Sequence, residues 1–574
     1  MNLKNYKKDI IAVSSLIIIL VIITLLLLNI DGKAGVYYVR DVFFYLNNAL
    51  FYAGYDTGLN NTRGLSPFIP MLTSIFFRMG FISDLTIILV SSAFYTLSAV
   101  GMYFILRLRF DEVLSFTGSM LFATFPLILV WVTKGMIDIP GVCLSIWAVY
   151  FMRLSFRKSP RYSYVAFAMV ILGFFTRYTG LLMIPVILIQ YLLVDEPIAY
   201  IKDNFKHILI GICSGALVFA IFLGIYSYLN IDLFFISQGQ GITQSQDISQ
   251  IQHYFTYYIN NIPIYLSSAN FIPYSLKPGA FLPLEMHWIG GNPSPISYLF
   301  LAILAVGFVI YISKLFSKEN REILKSENNK LKLAIIALGL IIFLATYTKI
   351  SVVYSEIIAS IVFLSLYWIL NKTKMEHFTL DFVMFYWFAV NFLFFTYYHI
   401  KVDRYFIPML PFFAYSLILS FDLIFEKLKN VKYMDKIKVI APIGLICIIL
   451  ISSGAYALSN SPHTYDNQMP ENFMTAAAEE KDVADWLVNH DPEFANKTIW
   501  ADRGGDLSFL LKIEITSVED ISSESNFTDE LINNNITYYI ANYNNTIGQP
   551  YVKLYQNGNV SLFYNENANS VKNS

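Results

Sequence analysis

Long apolar runs recur along most of the chain and constrain its fold more than any other feature of the sequence. A hydrocarbon core about 30 Å thick is crossed by roughly 20 apolar helical residues, or by about 17 at the short end. By this measure the sequence predicts about thirteen transmembrane helices and therefore a polytopic α-helical membrane protein. The predicted spans are approximately residues 10–30, 85–107, 115–133, 139–155, 163–177, 179–194, 207–229, 297–315, 332–348, 351–370, 380–398, 405–424 and 438–458.

The composition supports this class. Of the 574 residues, 56% are hydrophobic and only 14% are charged, whereas soluble proteins usually carry about 25% charge. The formal net charge of −1 gives no reason to predict a nucleic-acid partner. The three cysteines, Cys143, Cys213 and Cys447, each fall within an apolar run, which indicates small hydrophobic side chains and neither a disulfide framework nor a metal site.

Basic residues mark one side of the membrane at nearly every crossing. They follow alternate spans and also precede the first, at Lys4, Lys7, Lys8, Arg107, Arg109, Arg153, Arg157, Lys314, Lys318, Lys372, Lys427 and Lys429. Cytoplasmic loops carry such residues, so the N-terminus is predicted inside. An odd number of spans then places residues 459–574 outside. Five Asn-x-Ser/Thr sequons in this tail agree with an exoplasmic location; they are Asn496, Asn526, Asn535, Asn544 and Asn559.

The predicted organisation has two domains. Residues 1–458 form the transmembrane domain, with long outer loops at 31–84 and 230–296. Residues 459–574 form a small exoplasmic α/β domain. Its predicted elements are a helix near 476–490, strands at 498–501, 513–516 and 536–540, and a hairpin near 551–564 that turns at Asn557–Gly558.

Ionisable residues near the outer ends of the spans are the candidates for function. At membrane depth each costs about 2.5 to 3.5 kcal/mol on insertion scales, and the predicted topology explains only the cytoplasmic ones. The outer ones are Asp41, Arg63, Lys134, Asp138, Arg177, Lys401, Asp403 and Arg404.

The first outer loop holds a predicted helical motif. Asp41, Tyr45 and Asn48 share a face if this stretch is helical, because they are spaced by four and three residues. Residues 68–77 predict an amphipathic helix in the membrane interface, too short to span and ended by Gly80.

Each candidate also has a purely structural interpretation. Asp41 could be a solvated residue or an N-cap. Asp138, two residues before Pro140, could cap the fourth span, since an acidic residue before proline is ordinary at a helix start. Arg177 and Arg404 could be anchors to lipid headgroups.

In order and topology, these residues resemble the multispanning glycosyltransferases of the GT-C class that use lipid-phosphate-linked sugars. This large group includes the protein O-mannosyltransferases and the bacterial transferase that adds aminoarabinose to lipid A. The matching positions are Arg40-Asp41 with Tyr45 and Ala49, then Arg63 before Pro67, then Asp138 and Pro140, Arg177, and the Asp403–Pro411 stretch. The sequence departs from the group's pattern in having a single acid in the first loop and only one proline at Pro67.

The resemblance implies a hexosyl- or pentosyltransferase that takes a sugar from a polyprenyl (dolichyl) phosphate donor. The acceptor would be a hydroxyl of a protein, glycan or lipid on the outer face. Asp41 would be the general base and Asp138 would orient it or bind sugar hydroxyls. Arg404 would bind the donor phosphate, helped by Arg63, Lys134 or Arg177, and Tyr45 and Tyr405 would line the substrate pocket.

The residue types suit this chemistry. A phosphate leaving group is a weak base that needs positive charge and hydrogen bonds, and the fork of an arginine matches its oxygens. The acceptor hydroxyl must lose a proton, and a well-placed carboxylate typically contributes about 10² to 10⁴-fold. A single base without a carboxylate nucleophile predicts inversion at the anomeric carbon.

No cofactor is predicted. A divalent cation held by Asp41 and Asp138 is a minor alternative, and Glu285, His287 and His399 lie on the same predicted side. A transporter or flippase is the competing function, although such proteins usually show paired halves. An adhesive outer module on a membrane anchor is a third, which thirteen spans argue against.

Overall fold

A computed structural model describes residues 3–33, 41–58, 63–236, 256–269, 292–318, 320–321, 330–347, 349–373, 375–398, 401–430, 434–459, 476–518, 526–542 and 547–569. Helices dominate these residues, and one five-stranded sheet lies near the C-terminus. The predicted class, a polytopic helical protein with a C-terminal α/β domain, is confirmed.

The helices before residue 460 follow the apolar runs of the sequence. They are α1 (Leu3–Lys33), α2 (Asp41–Ala53), α3 (Phe68–Arg78), α4 (Asp84–Arg107), α5 (Glu112–Ala123), α6 (Pro126–Val132), α7 (Asp138–Arg157), α8 (Tyr162–Thr176), α9 (Met183–Ile189), α10 (Pro197–Asp203), α11 (Phe205–Tyr228), α12 (Tyr257–Leu266), α13 (Pro295–Leu315), α14 (Lys330–Thr346), α15 (Val352–Leu370), α16 (Phe378–Tyr397), α17 (Leu410–Lys427) and α18 (Met434–Ser459). Shorter elements are the 3₁₀ helices Tyr178–Leu182, Gln190–Leu192 and Asp403–Met409, and a two-stranded pair of β1 (Ser268–Ala269) and β2 (Asn292–Pro293).

Each of the thirteen predicted spans coincides with helical structure, but the number of crossings is not confirmed. Among the described residues, nine helices are long and apolar enough to cross a membrane, or up to eleven if two bent pairs each count as one span. The bent pairs are Glu112–Ala123 with Pro126–Val132, at 62°, and Tyr178–Leu192 with Pro197–Asp203, at 101°. The two remaining predicted spans correspond to the shorter apolar helices Tyr162–Thr176 and Leu331–Thr346.

Helix α3 has one buried and one exposed apolar side. Ile69, Thr73 and Phe77 are buried, and their spacing of four residues puts them on one face. Ile75 and Phe76 are 54% and 43% exposed. Gly80, with φ of +93°, follows the helix in a conformation that favours glycine. The predicted amphipathic helix over residues 68–77 is confirmed as a helix, and its place in the membrane interface stays a prediction.

The C-terminal residues form a sheet covered by helices, as the sequence predicts. The helices are α19 (Ala476–His490), α20 (Gly504–Leu511) and α21 (Phe527–Asn533), and the strands are β3 (Ile499–Ala501), β4 (Thr516–Ser517), β5 (Tyr538–Ala541), β6 (Tyr551–Asn557) and β7 (Val560–Asn565). The strand order is β4-β3-β5-β7-β6, parallel among the first three strands and antiparallel beyond them. Apolar residues from α19, α20 and the strands fill a common core.

Two details of this sheet differ from the prediction. The strand predicted at 513–516 is limited to Thr516–Ser517, where the backbone pairs with β3, while Ile515 is buried in the core. The hairpin turns at Gly558–Asn559, one residue later than predicted, because Asn557 still pairs with Val560. Only Gly558 of the two turn residues has a positive φ, +54°, which is typical of a type II′ turn with glycine first.

The chain packs as two compact units. The first unit contains Met1–Leu26, Ser92–Val132 and Ile137–Asn460. The second contains Leu27–Ser91, Thr133–Met136 and Ser461–Ser574. The C-terminal domain therefore begins close to the predicted residue 459, but it forms one unit with the segment that contains α2 and α3.

We expect Gly504→Ala to destabilise the C-terminal domain. An added Cβ at Gly504 would lie 2.6 Å from the Ile515 carbonyl oxygen and 2.7 Å from the Ser517 nitrogen, and these backbone atoms belong to β4 and to the residue before it. Overpacking of this kind typically costs about 1 to 3 kcal/mol. The measurement is the unfolding temperature of the full-length protein in detergent.

Gly548→Ala is the matched control. The nearest atom to its added Cβ would be Thr528 Cγ2 at 3.5 Å, an ordinary contact. Equal unfolding temperatures for the two variants would contradict the close approach at Gly504.

Candidate functional site

Asp138 is the first residue of α7, and its carboxylate forms an ion pair with the guanidinium of Arg177. Both side chains are withdrawn from solvent, at 2% and 13% exposure. The N-cap residue of α7 is Ile137, whose side chain makes no capping bond. An added Cβ at Gly141 would lie 3.3 Å from Arg177 Cβ, so a glycine here lets Arg177 lie close to α7. The Asp138 carboxylate is thus held by an arginine from another part of the chain.

Tyr405 lies beside two arginines. The guanidinium carbon of Arg177 is 5.0 Å from the centre of the Tyr405 ring, and that of Arg404 is 5.9 Å from it. Arg404 also lies 5.9 Å from the ring centre of Trp131, near the end of α6. Cations over aromatic faces are held by the ring quadrupole. Two guanidinium groups therefore lie near one tyrosine, and that of Arg177 is also paired with the Asp138 carboxylate.

The 3₁₀ helix Asp403–Met409 presents Arg404 and Tyr405. Side chains three residues apart eclipse in a 3₁₀ helix, and Asp403, Phe406 and Met409 form such a row, each with 0% exposure. Asp403 Oδ1 accepts hydrogen bonds from the hydroxyls of Tyr257, at 2.9 Å, and Tyr265, at 2.6 Å. The buried row therefore anchors the helix.

Lys401 has a structural explanation. Its Nζ donates to the carbonyl oxygens of Phe395, Thr396 and Tyr398 at 2.7, 2.8 and 2.5 Å. These carbonyls end α16, where helix carbonyls lack intrahelical partners and a cation is favourable. Burial lowers the pKa of Lys401 to about 7, whereas the three carbonyls favour its protonated form. Its contacts identify Lys401 as a helix C-terminal cap.

In the second unit, Asp41 begins α2. Tyr45 and Asn48 follow four and seven residues later, so the predicted shared helical face is present. Asp41 and Tyr45 are half-buried, whereas Asn48 is buried.

The C-terminal domain holds α2 in place. Asn47 Nδ2 donates to the Gly505 carbonyl oxygen at 2.8 Å, in the first turn of α20. The ring of Phe509, also on α20, lies 6.0 Å from Phe43 on α2 and 6.3 Å from Phe77 on α3. An apolar contact and a backbone acceptor therefore position the helix that carries Asp41.

Arg63 and Lys134 also lie in the second unit. Arg63 donates to Asp56 Oδ1 at 2.6 Å, and its guanidinium carbon is 4.1 Å from the centre of the Phe51 ring on α2. Lys134 is 5% exposed, in the turn before α7. The next residue of that turn, Gly135, has φ of +68°, and its added Cβ would meet Val42 of α2 at 2.9 Å.

The structure groups the predicted site residues by compact unit. Asp138, Arg177, Arg404 and Tyr405 cluster in the first unit. Asp41, Tyr45, Arg63 and Lys134 belong to the second. Their catalytic and binding roles stay predictions.

Sequence reasoning missed Trp131, Tyr257 and Tyr265. A tryptophan near the end of an apolar span is usually assigned to the interfacial aromatic belt, so nothing in the sequence distinguishes Trp131 as a neighbour of Arg404. The two tyrosines lie within the 230–296 loop, where only the tyrosine-rich composition distinguishes them.

Among the residues that the structure describes, no group of three or more His, Cys, Asp and Glu side chains could hold a metal ion. Glu285, His287 and His399 lie outside the described residues.

Comparisons with known proteins agree with the predicted resemblance. Residues 65–225 match the family model of dolichyl-phosphate-mannose-protein mannosyltransferases. A comparison with curated proteins found no similar sequence.

The fold is similar to that of ArnT from Cupriavidus metallidurans. The apo form has a TM-score of 0.55 at 10% identity, with 96% of this chain and 98% of that chain covered. The form bound to undecaprenyl phosphate has a TM-score of 0.53 at 10% identity, with coverages of 95% and 97%. The archaeal oligosaccharyltransferase AglB from Archaeoglobus fulgidus, in complex with an inhibitory peptide and a dolichol-phosphate, has a TM-score of 0.47 at 11% identity, with coverages of 92% and 69%. The fold of the chain is thus similar to that of ArnT, and the predicted resemblance is confirmed.

We expect Asp138 and Arg177 to stabilise the protein as a pair. Removing one partner of a buried ion pair typically costs about 3 to 5 kcal/mol, because the other charge stays buried without its partner. Asp138→Asn and Arg177→Gln should each lower the stability strongly, and the double variant should lose less than the sum. Unfolding of the four proteins in detergent measures this coupling.

The exposed pair of Lys314 and Glu426 is the control. Its side chains are 38% and 54% exposed, so Lys314→Gln should cost at most about 1 kcal/mol. Additive effects of the two buried substitutions would contradict the pairing.

Proposed function

We propose that this protein is a membrane glycosyltransferase. It moves a sugar from a polyprenyl phosphate donor to an acceptor hydroxyl on the outer face of the membrane. The donor tail lies in the bilayer, so the sugar phosphate reaches the protein from the lipid. The C-terminal domain is exoplasmic in this proposal.

The observation that carries the proposal is that the guanidinium groups of Arg177 and Arg404 both lie near the Tyr405 ring. A phosphate monoester or diester needs positive charge and directional donors, which arginine supplies. The fold and the family match support the same ligand class, since the ArnT of similar fold was solved with undecaprenyl phosphate. Arg404 is assigned to the donor phosphate, and Asp138 is assigned to orient Arg177 through their ion pair.

The proposed reaction is a single displacement. The acceptor oxygen forms a bond to the anomeric carbon while the bond from that carbon to the phosphate oxygen breaks. The bonding electrons leave with the polyprenyl phosphate, whose negative charge the arginines stabilise. The acceptor proton passes to a carboxylate, and the anomeric centre is inverted.

Asp41 is assigned as the general base. It begins α2 and is half-buried, so it retains access for a substrate. Asn47 and Phe43 fix the same helix against α20, which supports a defined carboxylate position. Tyr45, on the same face of α2, is assigned to the substrate pocket.

Transfer of radiolabelled sugar in membranes tests the function. The donors are polyprenyl phosphate hexoses and pentoses, and the proteins are the wild type and Asp41→Asn at equal amounts. We expect the wild type to transfer sugar from at least one donor. Asp41→Asn should reduce the rate about 100-fold or more, because an amide cannot accept the acceptor proton.

Asp84→Asn is the matched control, since Asp84 also begins a helix in the same outer segment. It should keep the wild-type rate. An active Asp41→Asn variant would remove Asp41 from the role of base. Absence of transfer by the wild type from every donor would contradict a glycosyltransferase.

A further inference from the structure

Helix α12 lies within the long outer loop and is rich in tyrosines that contact the 3₁₀ helix of Arg404. Tyr257 and Tyr265 both donate to Asp403 Oδ1. The Tyr258 hydroxyl lies 3.4 Å from the Val402 carbonyl oxygen, which it meets as a donor. The Tyr265 ring is 4.6 Å from the ring of Phe406. Three tyrosines of one short helix thus contact one short segment.

The hydrogen bonds from α12 reach one row of that segment and the residue before it. Residues 403 and 406 eclipse in a 3₁₀ helix, and α12 bonds to Asp403 of this row and to the preceding Val402. Arg404 and Tyr405 start the two other rows; Arg404 lies near Trp131, and Tyr405 lies near Arg177 and Phe395. The hydroxyls of Tyr257 and Tyr265 therefore hold the segment through a row other than that of Arg404.

The hydroxyl groups of α12 are suited to this task. Burial and then the charge of Asp403 raise the pKa of Tyr257 and Tyr265, so both remain protonated donors. A hydrogen bond to a carboxylate is shorter and stronger than a neutral one. Two such bonds to one buried oxygen fix the position of the Asp403 carboxylate. Because Arg404 is the next residue, they also fix the backbone position from which the Arg404 side chain extends.

We propose that Tyr257 and Tyr265 are positioning residues for the donor phosphate. Through Asp403 they fix the Asp403–Met409 helix so that Arg404 meets the phosphate of a polyprenyl phosphate lipid. This inference rests on the proposed function. It assigns α12, the described helix of the 230–296 loop, to binding of the donor lipid.

Binding of undecaprenyl phosphate to the purified full-length protein in detergent tests the inference. Undecaprenol, which lacks the phosphate, is the second ligand. Tyr257→Phe and Tyr265→Phe keep the ring and remove only the hydroxyl. Each substitution should lower the affinity for undecaprenyl phosphate about tenfold and leave the affinity for undecaprenol unchanged, because only binding of the phosphate depends on Arg404.

Tyr415→Phe is the matched control. Tyr415 is also fully buried and donates its hydroxyl to a buried carboxylate, Asp381 Oδ1, at 2.5 Å. This variant should bind both lipids as the wild type does. The positioning role is wrong if Tyr257→Phe and Tyr265→Phe bind undecaprenyl phosphate as tightly as this control does. It is also wrong if they lower the affinities for both lipids equally.

A second background separates positioning from general stability. Arg404→Gln should itself lower the affinity for undecaprenyl phosphate. Adding Tyr265→Phe to this variant should not lower the affinity further. A further loss in the double variant would overturn action through Arg404. A wild type that binds undecaprenyl phosphate no better than undecaprenol would contradict the proposed function itself, a result distinct from failure of the tyrosine variants alone.

Discussion

Within a bilayer each backbone amide and carbonyl must find its hydrogen-bond partner inside the protein, so the spans are helices and breaks are tolerated only where other groups satisfy them. The candidate residues of the first unit lie at such breaks. Asp138 starts α7 after a turn, Arg177 lies between α8 and a 3₁₀ helix, and Arg404 follows the extended Val402. A helix interior would point these side chains into lipid or neighbouring helices. At the ends of the helices, the charged side chains and the unpaired backbone groups can both contact other parts of the chain.

The charges at these breaks are held by one another and by aromatic rings. Asp138 binds Arg177, whose guanidinium lies over Tyr405, and that of Arg404 is 5.9 Å from each of the Tyr405 and Trp131 ring centres. Desolvation makes a buried charge without partners costly, so this mutual support lets positive charge persist near the bilayer. The Asp403 row anchors the segment that carries Arg404. Under the proposed function, phosphate binding and protein stability depend on the same contacts.

In the second unit, the helix that carries Asp41 is likewise held by a part of the chain that is distant in sequence. Helix α2 carries Asp41 and packs against α20 of the C-terminal domain through Asn47, Phe43 and Phe509. Gly504 permits this arrangement of α20, because the backbone of the β4 segment passes where a side chain would be. The C-terminal domain thus has a structural role for the segment that carries Asp41.

The sequence by itself determined the positions of the apolar helices, the amphipathic α3 and the α/β character of the tail. These follow from local patterns, since hydrophobic length and periodicity act over neighbouring residues. It also identified Asp138, Arg177 and Arg404 as unusual, because charges near a membrane span are costly. The sequence placed the hairpin turn one residue too early, at Asn557–Gly558 instead of Gly558–Asn559, because the pairing of the two strands sets the register.

Only the tertiary structure decided which of these charges meet. Asp403 and its partners Tyr257 and Tyr265 are 146 and 138 residues apart in the chain, and no periodicity links such positions. The pairing of Asp138 with Arg177, and the assignment of Lys401 to a helix end, likewise depend on how separate helices pack. Side-chain partners across a fold arise from packing geometry, whereas the sequence pattern records only which residues need a partner.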